Sequence, residues 1–298
     1  MSGDGDRERN TSGDGDRERN AMGDEERGRG GSSGRGPAIE TEALSKFYGD
    51  TIAVEDLSLW IPRGQVYGFL GPNGAGKSTT MRMLATLTRP TSGTARICGD
   101  PITDRAAVVR HLGFLPEEPP LYDELTGREQ LSYFAGLRDV PEARADERIE
   151  ELLDRFDLTD AANRRIEGYS TGMRKKLGLA ATLLDEPEVL LLDEPTSGLD
   201  PRAARTVRET IADLANADRT VFLSTHVLPV VDELADNVGV LFDGRLVAEG
   251  SPERLKQRVE TGEERTLEDV FLEVTSSVDE RDTSATVSSA DPSTTDTR

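Results

Sequence analysis

The eight residues Gly71–Ser78, reading G-P-N-G-A-G-K-S, constrain this chain more than any other stretch. They match the pattern G-x-x-x-x-G-K-[ST] in full. They also stand between a β-type run, Val66–Leu70, and a segment of helical composition, Thr79–Leu87, that stops at Pro90. Glycines allow backbone angles that turn successive N–H groups toward one point, which makes a nest for anionic oxygens. The helix that follows aims its positive end at the same place. Gly71, Pro72, Asn73, Gly74, Ala75, Gly76 and Thr79 are therefore candidate cradle residues for a nucleoside triphosphate. Lys77 offers a compact charge for the β- and γ-phosphates, and the Ser78 hydroxyl is a candidate Mg²⁺ ligand. A glycine-rich turn with a chance lysine is the bland alternative, and the strand–loop–helix setting argues against it.

Short apolar runs alternate with helical patterns on either side of this loop, which is the α/β signature. Val189–Leu192 is a continuous apolar run of the kind a buried parallel strand shows, and it delivers Asp193 and Glu194 at its end. Asp193 is expected to hold Mg²⁺ through a water. Glu194 is expected to polarise the attacking water or accept its proton, a role worth roughly 10²–10⁴ in rate. Thr220–Ser224 and Val238–Phe242 read as further strands, and Arg202–Ala217 as a helix with Val207, Ile211, Leu214 and Ala215 on one face. The middle third is helical. Thr126 and Glu129 form a capping box ahead of Leu131 and Phe134, and Ile149, Leu152, Leu153 and Phe156 line a second helix. Residues 117–185 thus read as a helical lobe inserted into the α/β core.

Outside residues 38–275 the composition changes. Residues 2–10 (SGDGDRERN) recur as residues 12–20, and the segment to Pro37 has almost no apolar residues with which to offset its ordering entropy. The stretch 27–36 hints at Arg/Gly-type RNA binding, but acidic neighbours cancel its charge. Ser, Thr and Asp dominate 276–298 without periodicity. Both ends read as disordered tails. The net charge of −21 disfavours a nucleic-acid partner. Only five of the 36 basic residues are Lys, and this acidic, Lys-poor balance suits a cytoplasm of very high salt; Arg-favouring codon usage is the alternative. No apolar run approaches the roughly 20 residues that cross a bilayer. With no apolar segment at the N-terminus, the expectation is a cytoplasmic protein that reaches a membrane only through another chain. The single cysteine, Cys98, reads as a small buried hydrophobe without ligand-like neighbours, and His111 as a surface residue.

A phosphate loop with an acidic strand end would also fit kinases, GTPases and motor ATPases. Tyr169–Met173, Y-S-T-G-M, with Ser170 lying 23 residues before Asp193, resembles the ABC signature motif, usually written L-S-G-G-Q. Tyr48, Glu117 after Gly-Phe-Leu-Pro, Ser197-Gly198-Leu199-Asp200 and His226 follow in ABC order, so the resemblance covers nearly all of residues 39–274. Two stretches, LPEEPPLY at 115–122 and TLEDVFLEVT at 266–275, look like type-2 ABC exporter ATPases, the group of antibiotic-resistance, polysaccharide, lipid and sodium-extrusion systems. In the second stretch, Leu267, Val270, Phe271 and Val274 share helical spacing, which suits a docking face or core packing equally.

The resemblance implies a P-loop NTPase core with a mainly parallel sheet, an antiparallel β subdomain and an inserted helical subdomain. It implies ATP and Mg²⁺ as ligands and Tyr48 stacked on adenine, where composition alone favours a packed turn residue. His226, by itself a residue at a helix start, becomes the switch histidine contacting the γ-phosphate. Ser170, Thr171, Gly172 and Met173 would complete the ATP site of a second copy, with Asp200 at the same interface. The usual Gln that ligates Mg²⁺ is Glu117 here, which brings a negative charge near the triphosphate. Thr171 and Met173 replace the usual Gly and Gln, while Ser170 and Gly172 are kept. The implied function is the ATP-hydrolysing subunit of an ABC exporter, working from the inner face of the cell membrane through a separate integral permease chain. The competing class is a soluble ABC ATPase that remodels a macromolecular complex. Against it stand the short helical lobe, the single phosphate loop and the acidic surface.

Overall fold

The computed structural model describes residues 36–217, 219–257, 267–269 and 271–272. The expected tails with their repeat lie outside them except for Gly36 and Pro37, as do Val270 and Val274. The strands are β1 (Ile39–Tyr48), β2 (Thr51–Ile61), β3 (Val66–Leu70), β4 (Ser92–Ile97), β5 (Asp100–Pro101), β6 (Leu112–Leu115), β7 (Val189–Asp193), β8 (Thr220–Thr225), β9 (Asn237–Phe242) and β10 (Arg245–Gly250). The helices are α1 (Lys77–Leu84), α2 (Arg105–Val108), α3 (Gly127–Leu137), α4 (Glu142–Arg155), α5 (Thr171–Thr182), α6 (Pro201–Asn216), α7 (Leu228–Leu234) and α8 (Pro252–Gln257).

Two sheets organise these elements. An antiparallel sheet of order β2-β1-β4-β5 faces a six-stranded sheet of order β10-β9-β3-β8-β7-β6 across a shared core. Strands β9, β3, β8, β7 and β6 run parallel, and only β10 is antiparallel, to β9. The expected combination of a mainly parallel core, an antiparallel β subdomain and a helical insertion is therefore the observed one.

The parallel strands are apolar on both faces because both are covered. Along β3, Tyr67 and Phe69 point into a core shared with α1 and the antiparallel sheet, where Ile39, Leu57, Ile61, Met81 and Leu84 are buried. Val66 on the opposite face joins Leu190, Leu192, Val221 and Leu223 in a second core. That second core also takes in Val207, Ile211 and Leu214 of α6 and Leu152, Leu153 and Leu177 of the lobe. The lobe is thus an insertion without a core of its own, packed onto the sheet through α5. A third cluster joins Leu70, Val231, Val238, Leu255 and Leu267. It buries Leu267 and half-buries Phe271, so of the two readings of that stripe core packing fits these residues.

Helix ends follow local chemistry. Glu129 N–H donates to Thr126 Oγ1 (3.2 Å) and Thr126 N–H donates to Glu129 Oε2 (2.8 Å), the expected capping box opening α3. These backbone bonds hold the Glu129 carboxyl below its usual range. The first helix starts two residues earlier than expected, at Lys77, and ends at Leu84 rather than Leu87. Thr86 there turns left-handed (φ 60°), Leu87 N–H donates to Arg82 O and Thr86 N–H to Met83 O, the bond pair of a Schellman stop.

Phe222 stacks on Tyr67 (centroids 5.5 Å apart) and tilts against Phe69 (5.0 Å) in the core between the two sheets. Phe222→Ala is expected to cost about 3–5 kcal/mol in denaturant unfolding; a loss below about 1 kcal/mol would mean that this core is not packed as described.

Candidate active site

The phosphate loop, Glu117, Asp193, Glu194 and His226 lie at or just after the carboxyl ends of β3, β6, β7 and β8, where an open parallel sheet presents its crevice. Residues 71–76 leave β3 and enter α1 through Gly76, whose left-handed backbone (φ 106°) suits only glycine. A Cβ on Gly76 would lie 2.2 Å from Ala53 O, and one on Gly71 2.4 Å from Leu241 O, so the loop is wedged between neighbouring backbones. No side chain caps the start of α1, which leaves its first N–H groups and helix dipole for an anion. Lys77 is buried, 6 % exposed, and its Nζ donates to Gly71 O (2.7 Å) and Pro72 O (3.1 Å). Burial lowers the Lys77 pKa, while Glu194, Asp193 and Glu117 pull it back up. These features fit a triphosphate: a ring of N–H donors with one tethered ammonium.

Strand β7 ends in two buried carboxylates. Asp193 Oδ1 accepts from Ser224 Oγ on the neighbouring strand β8. Glu194 follows with a left-handed backbone (φ 47°), uncommon for a non-glycine residue. Its carboxylate is fixed from three sides. Thr225 Oγ1 donates to Oε2 (3.1 Å), His226 Nδ1 bonds Oε1 (2.8 Å), and Lys77 Nζ lies 3.9 Å from Oε1. His226 leaves β8 before α7 begins and keeps its side chain about half exposed (48 %). The structure thus brings Lys77, Asp193, Glu194 and His226 together.

The sequence reading passed over Lys175. It lies in the second turn of α5, is 5 % exposed, and its Nζ donates to the backbone carbonyls of Glu194 (2.9 Å) and Glu117. One buried ammonium therefore ties the signature helix to both the strained Glu194 backbone and the segment after β6. Burial lowers its pKa too, opposed by Glu117, Asp193 and Glu194. The available signal was scarcity: in a chain with five lysines, two are buried, and both sit here. Glu117 itself is exposed, with its charge within reach of both ammonium groups.

Tyr48 is not a packed turn residue. The residue is 49 % exposed at the end of β1, with Lys46 Nζ over the ring 4.9 Å from its centroid. Ser170 caps α5 by accepting from Met173 N–H (3.3 Å). A Cβ on Gly172 would meet Ala203 Cβ at 3.5 Å and one on Gly198 would meet Thr171 Cγ2 at 3.7 Å, so this turn packs beside the start of α6. Asp200 caps α6, accepting from Arg202 N–H (2.9 Å) and Ala203 N–H (3.0 Å), and these bonds lower its pKa. Among the described residues no hydrogen bond or ion pair joins residues 170–173 to residues 71–79.

Residues 54–197 match the family model described as ABC transporter. The chain is 44 % identical over 229 residues to "Daunorubicin resistance ATP-binding protein DrrA3" of Streptomyces coeruleorubidus, covering 76 % of this chain and 72 % of that protein. It is 38 % identical over 218 residues to "Nod factor export ATP-binding protein I" of Cupriavidus metallidurans, covering 73 % and 72 %. A solved ATP-binding subunit of an ABC transporter superposes with a TM-score of 0.74 at 30 % identity, over 80 % of this chain and 99 % of that one.

Lys175→Met removes the tie to the Glu194 carbonyl while leaving the phosphate loop intact. ATP turnover is expected to fall at least about tenfold, since misplacement of about 1 Å is worth up to ~10², with KM for ATP nearly unchanged. An unchanged kcat, or a loss confined to KM, would show that Lys175 does not position Glu194.

Proposed function

This chain belongs to the ABC transporter family of ATP-binding subunits and is an ATPase; on that premise we propose that it is the motor of an exporter, working on a separate membrane permease as a pair of copies that sandwich ATP. The observation that carries this reading is the split of the phosphate-binding parts. The uncapped loop helix faces Glu194 in one place, while among the described residues the Ser170-led helix end has no polar link to that loop. A symmetric pair would bring the loop of one copy to the Ser170 end of the other, completing two sites at an isologous interface. Asp200 sits at the start of α6 beside Ala203, close to the Gly172 turn, and would share that contact surface. ATP adds contacts between the copies and its hydrolysis removes them, which supplies the differential binding a two-state motor requires.

Within each site, residues 71–79 cradle the phosphates and Tyr48 stacks on the base. Glu194 accepts the proton of the attacking water, held in place by Thr225, His226 and the Lys175-bonded carbonyl. With Nδ1 committed to Glu194, His226 keeps Nε2 for the γ-phosphate. The Ser78 hydroxyl, the buried Asp193 carboxylate and the nearby Glu117 form an all-oxygen set that fits Mg²⁺. Bound there, Mg²⁺ would neutralise charge on the phosphates.

Export is supported by the relatives, one concerned with drug resistance and one with Nod factor export. Among the described residues no helix is long and apolar enough to cross a membrane; the separate permease and the place on the inner membrane face rest on the family. Exposed Tyr122, Tyr133 and Leu137, on the lobe and its approach, offer apolar surface for that permease. The net charge of −21 disfavours a nucleic-acid partner and supports the reading of a salt-rich cytoplasm.

Glu194→Gln is expected to keep ATP binding, to elute as a dimer with ATP and to lose at least about 10² in turnover. A monomer with ATP would sink the paired-site reading, and near-normal hydrolysis would remove Glu194 as the base. Wild-type activity is expected to rise from dilute buffer to multimolar KCl as repulsion is screened; full activity in dilute buffer would remove the adaptation to salt.

A further inference from the structure

Outside the candidate active site, the expectation that Cys98 has no ligand-like neighbours fails: His111 and Glu188 lie close to it. Cys98 is half-buried with a left-handed backbone (φ 53°) and packs at the margin of the core between the two sheets. His111 is half-buried as well, and both its ring nitrogens meet carboxylates: Nδ1 lies 2.7 Å from Glu188 Oε1 and Nε2 3.1 Å from Asp100 Oδ2. One ligand atom from each of Cys98, His111 and Glu188 fits within a span of 4.8 Å. We propose that Cys98, His111 and Glu188 form a binding site for a thiophilic divalent cation of the zinc class, distinct from the ATP–Mg²⁺ site.

The donor set selects the ion. A thiolate, an imidazole and a single carboxylate suit zinc or cobalt, whereas Mg²⁺ and Ca²⁺ take oxygen sets. A tetrahedron with bonds of about 2.0–2.3 Å spaces its ligand atoms roughly 3–4 Å apart, so the group needs to close by at most about 1.5 Å. Its members stand on strand ends, which fixes their spacing. Cys98 follows β4, His111 precedes β6, Glu188 precedes β7, and Val189 N–H donates to His111 O (2.9 Å).

The surrounding groups serve such a site. Asp100, 3.1 Å from Nε2, would accept from an Nε2–H in the metal-bound state and leave Nδ1 as the metal nitrogen, the carboxylate–histidine pairing common around bound zinc. Arg63 Nη1 donates to Glu188 Oε2 (2.5 Å), leaving Oε1 as a single-oxygen ligand, and the guanidinium also favours the thiolate of Cys98 against the effect of burial. Two carboxylates against one guanidinium keep the cluster negative. Binding replaces the S–H bond of Cys98 with a sulfur–metal bond and the Nδ1–H that His111 shares with Glu188 with a nitrogen–metal bond; both protons leave to solvent, and no redox change is involved. The ligands come from both sheets, so the ion would clip the antiparallel subdomain to the ATP-binding core. Its fourth position would face solvent, since Glu188 is exposed.

Cys98 is the only cysteine in the chain, which makes the test specific. Titrating Co²⁺ into the full chain without nucleotide should produce a thiolate-to-cobalt charge-transfer band in the near ultraviolet. Cobalt held by Ser78 and Asp193 has no sulfur ligand and gives none. The band is expected to saturate at about one ion per chain, to disappear when Zn²⁺ is added, and to be absent in Cys98→Ser and in His111→Ala. Circular dichroism would confirm that both variants are folded. Zn²⁺ should raise the Tm of the wild type and not of Cys98→Ser, whose Mg²⁺-dependent ATPase stays at the wild-type level. No band with excess Co²⁺ in the wild type, or a band that persists in folded His111→Ala, would overturn the site and leave a closed ion-pair network.

Discussion

Two buried ammonium groups facing two buried carboxylates, at the carboxyl end of the parallel sheet, are the constraint on which the rest of this structure depends. Lys77 and Lys175 are almost fully covered, and an isolated charge in such a place would be strongly disfavoured. They persist because Asp193 and Glu194 lie beside them and because backbone carbonyls accept their hydrogens. Lys77 ties the glycine loop to itself and points toward Glu194. Lys175 ties the signature helix to the same residue from the other side. Removing either partner leaves a buried charge uncompensated, so phosphate loop, acidic strand end and lobe hold one arrangement together.

The sheet order is what brings these groups close. Strand β3, which feeds the loop, pairs with β8, and β8 pairs with β7, although 118 residues separate the end of β3 from the start of β7 (188 − 70 = 118). Register then does local work. Asp193 stands opposite Ser224, whose hydroxyl it accepts from, and the next residues along, Glu194 and Thr225, bond through their side chains. A one-residue slip between β7 and β8 would separate both pairs.

Local chemistry was legible in the sequence, and long-range chemistry was not. The strand–turn–helix setting of the glycine loop, the apolar run of β7 and the Thr126–Glu129 box depend on residues a few positions apart, and the structure has each of them. The end of α1 was misplaced because Thr86 adopts the left-handed turn usually left to glycine. Lys175 was missed because it bonds to backbone carbonyls 58 and 19 residues away, which no side-chain pattern announces. The pairing of His111 with Glu188 spans 77 residues and requires β6 and β7 to be neighbours. Departures from the signature are easier to place with the fold in hand: Thr171 packs toward Gly198, while Ser170 retains its cap.

Mixing two variants, each with one half of the site disabled, tests the shared-site account most directly. Lys77→Ala removes the loop charge and leaves the Ser170 end intact, and Ser170→Arg does the reverse. Each alone is expected to be inactive in ATP hydrolysis. An equal mixture, unfolded and refolded together, should recover roughly a quarter of wild-type turnover, because half of random pairs are mixed and each of those rebuilds one complete site. A mixture as inactive as its components would contradict the account and place every working part of the site within a single chain.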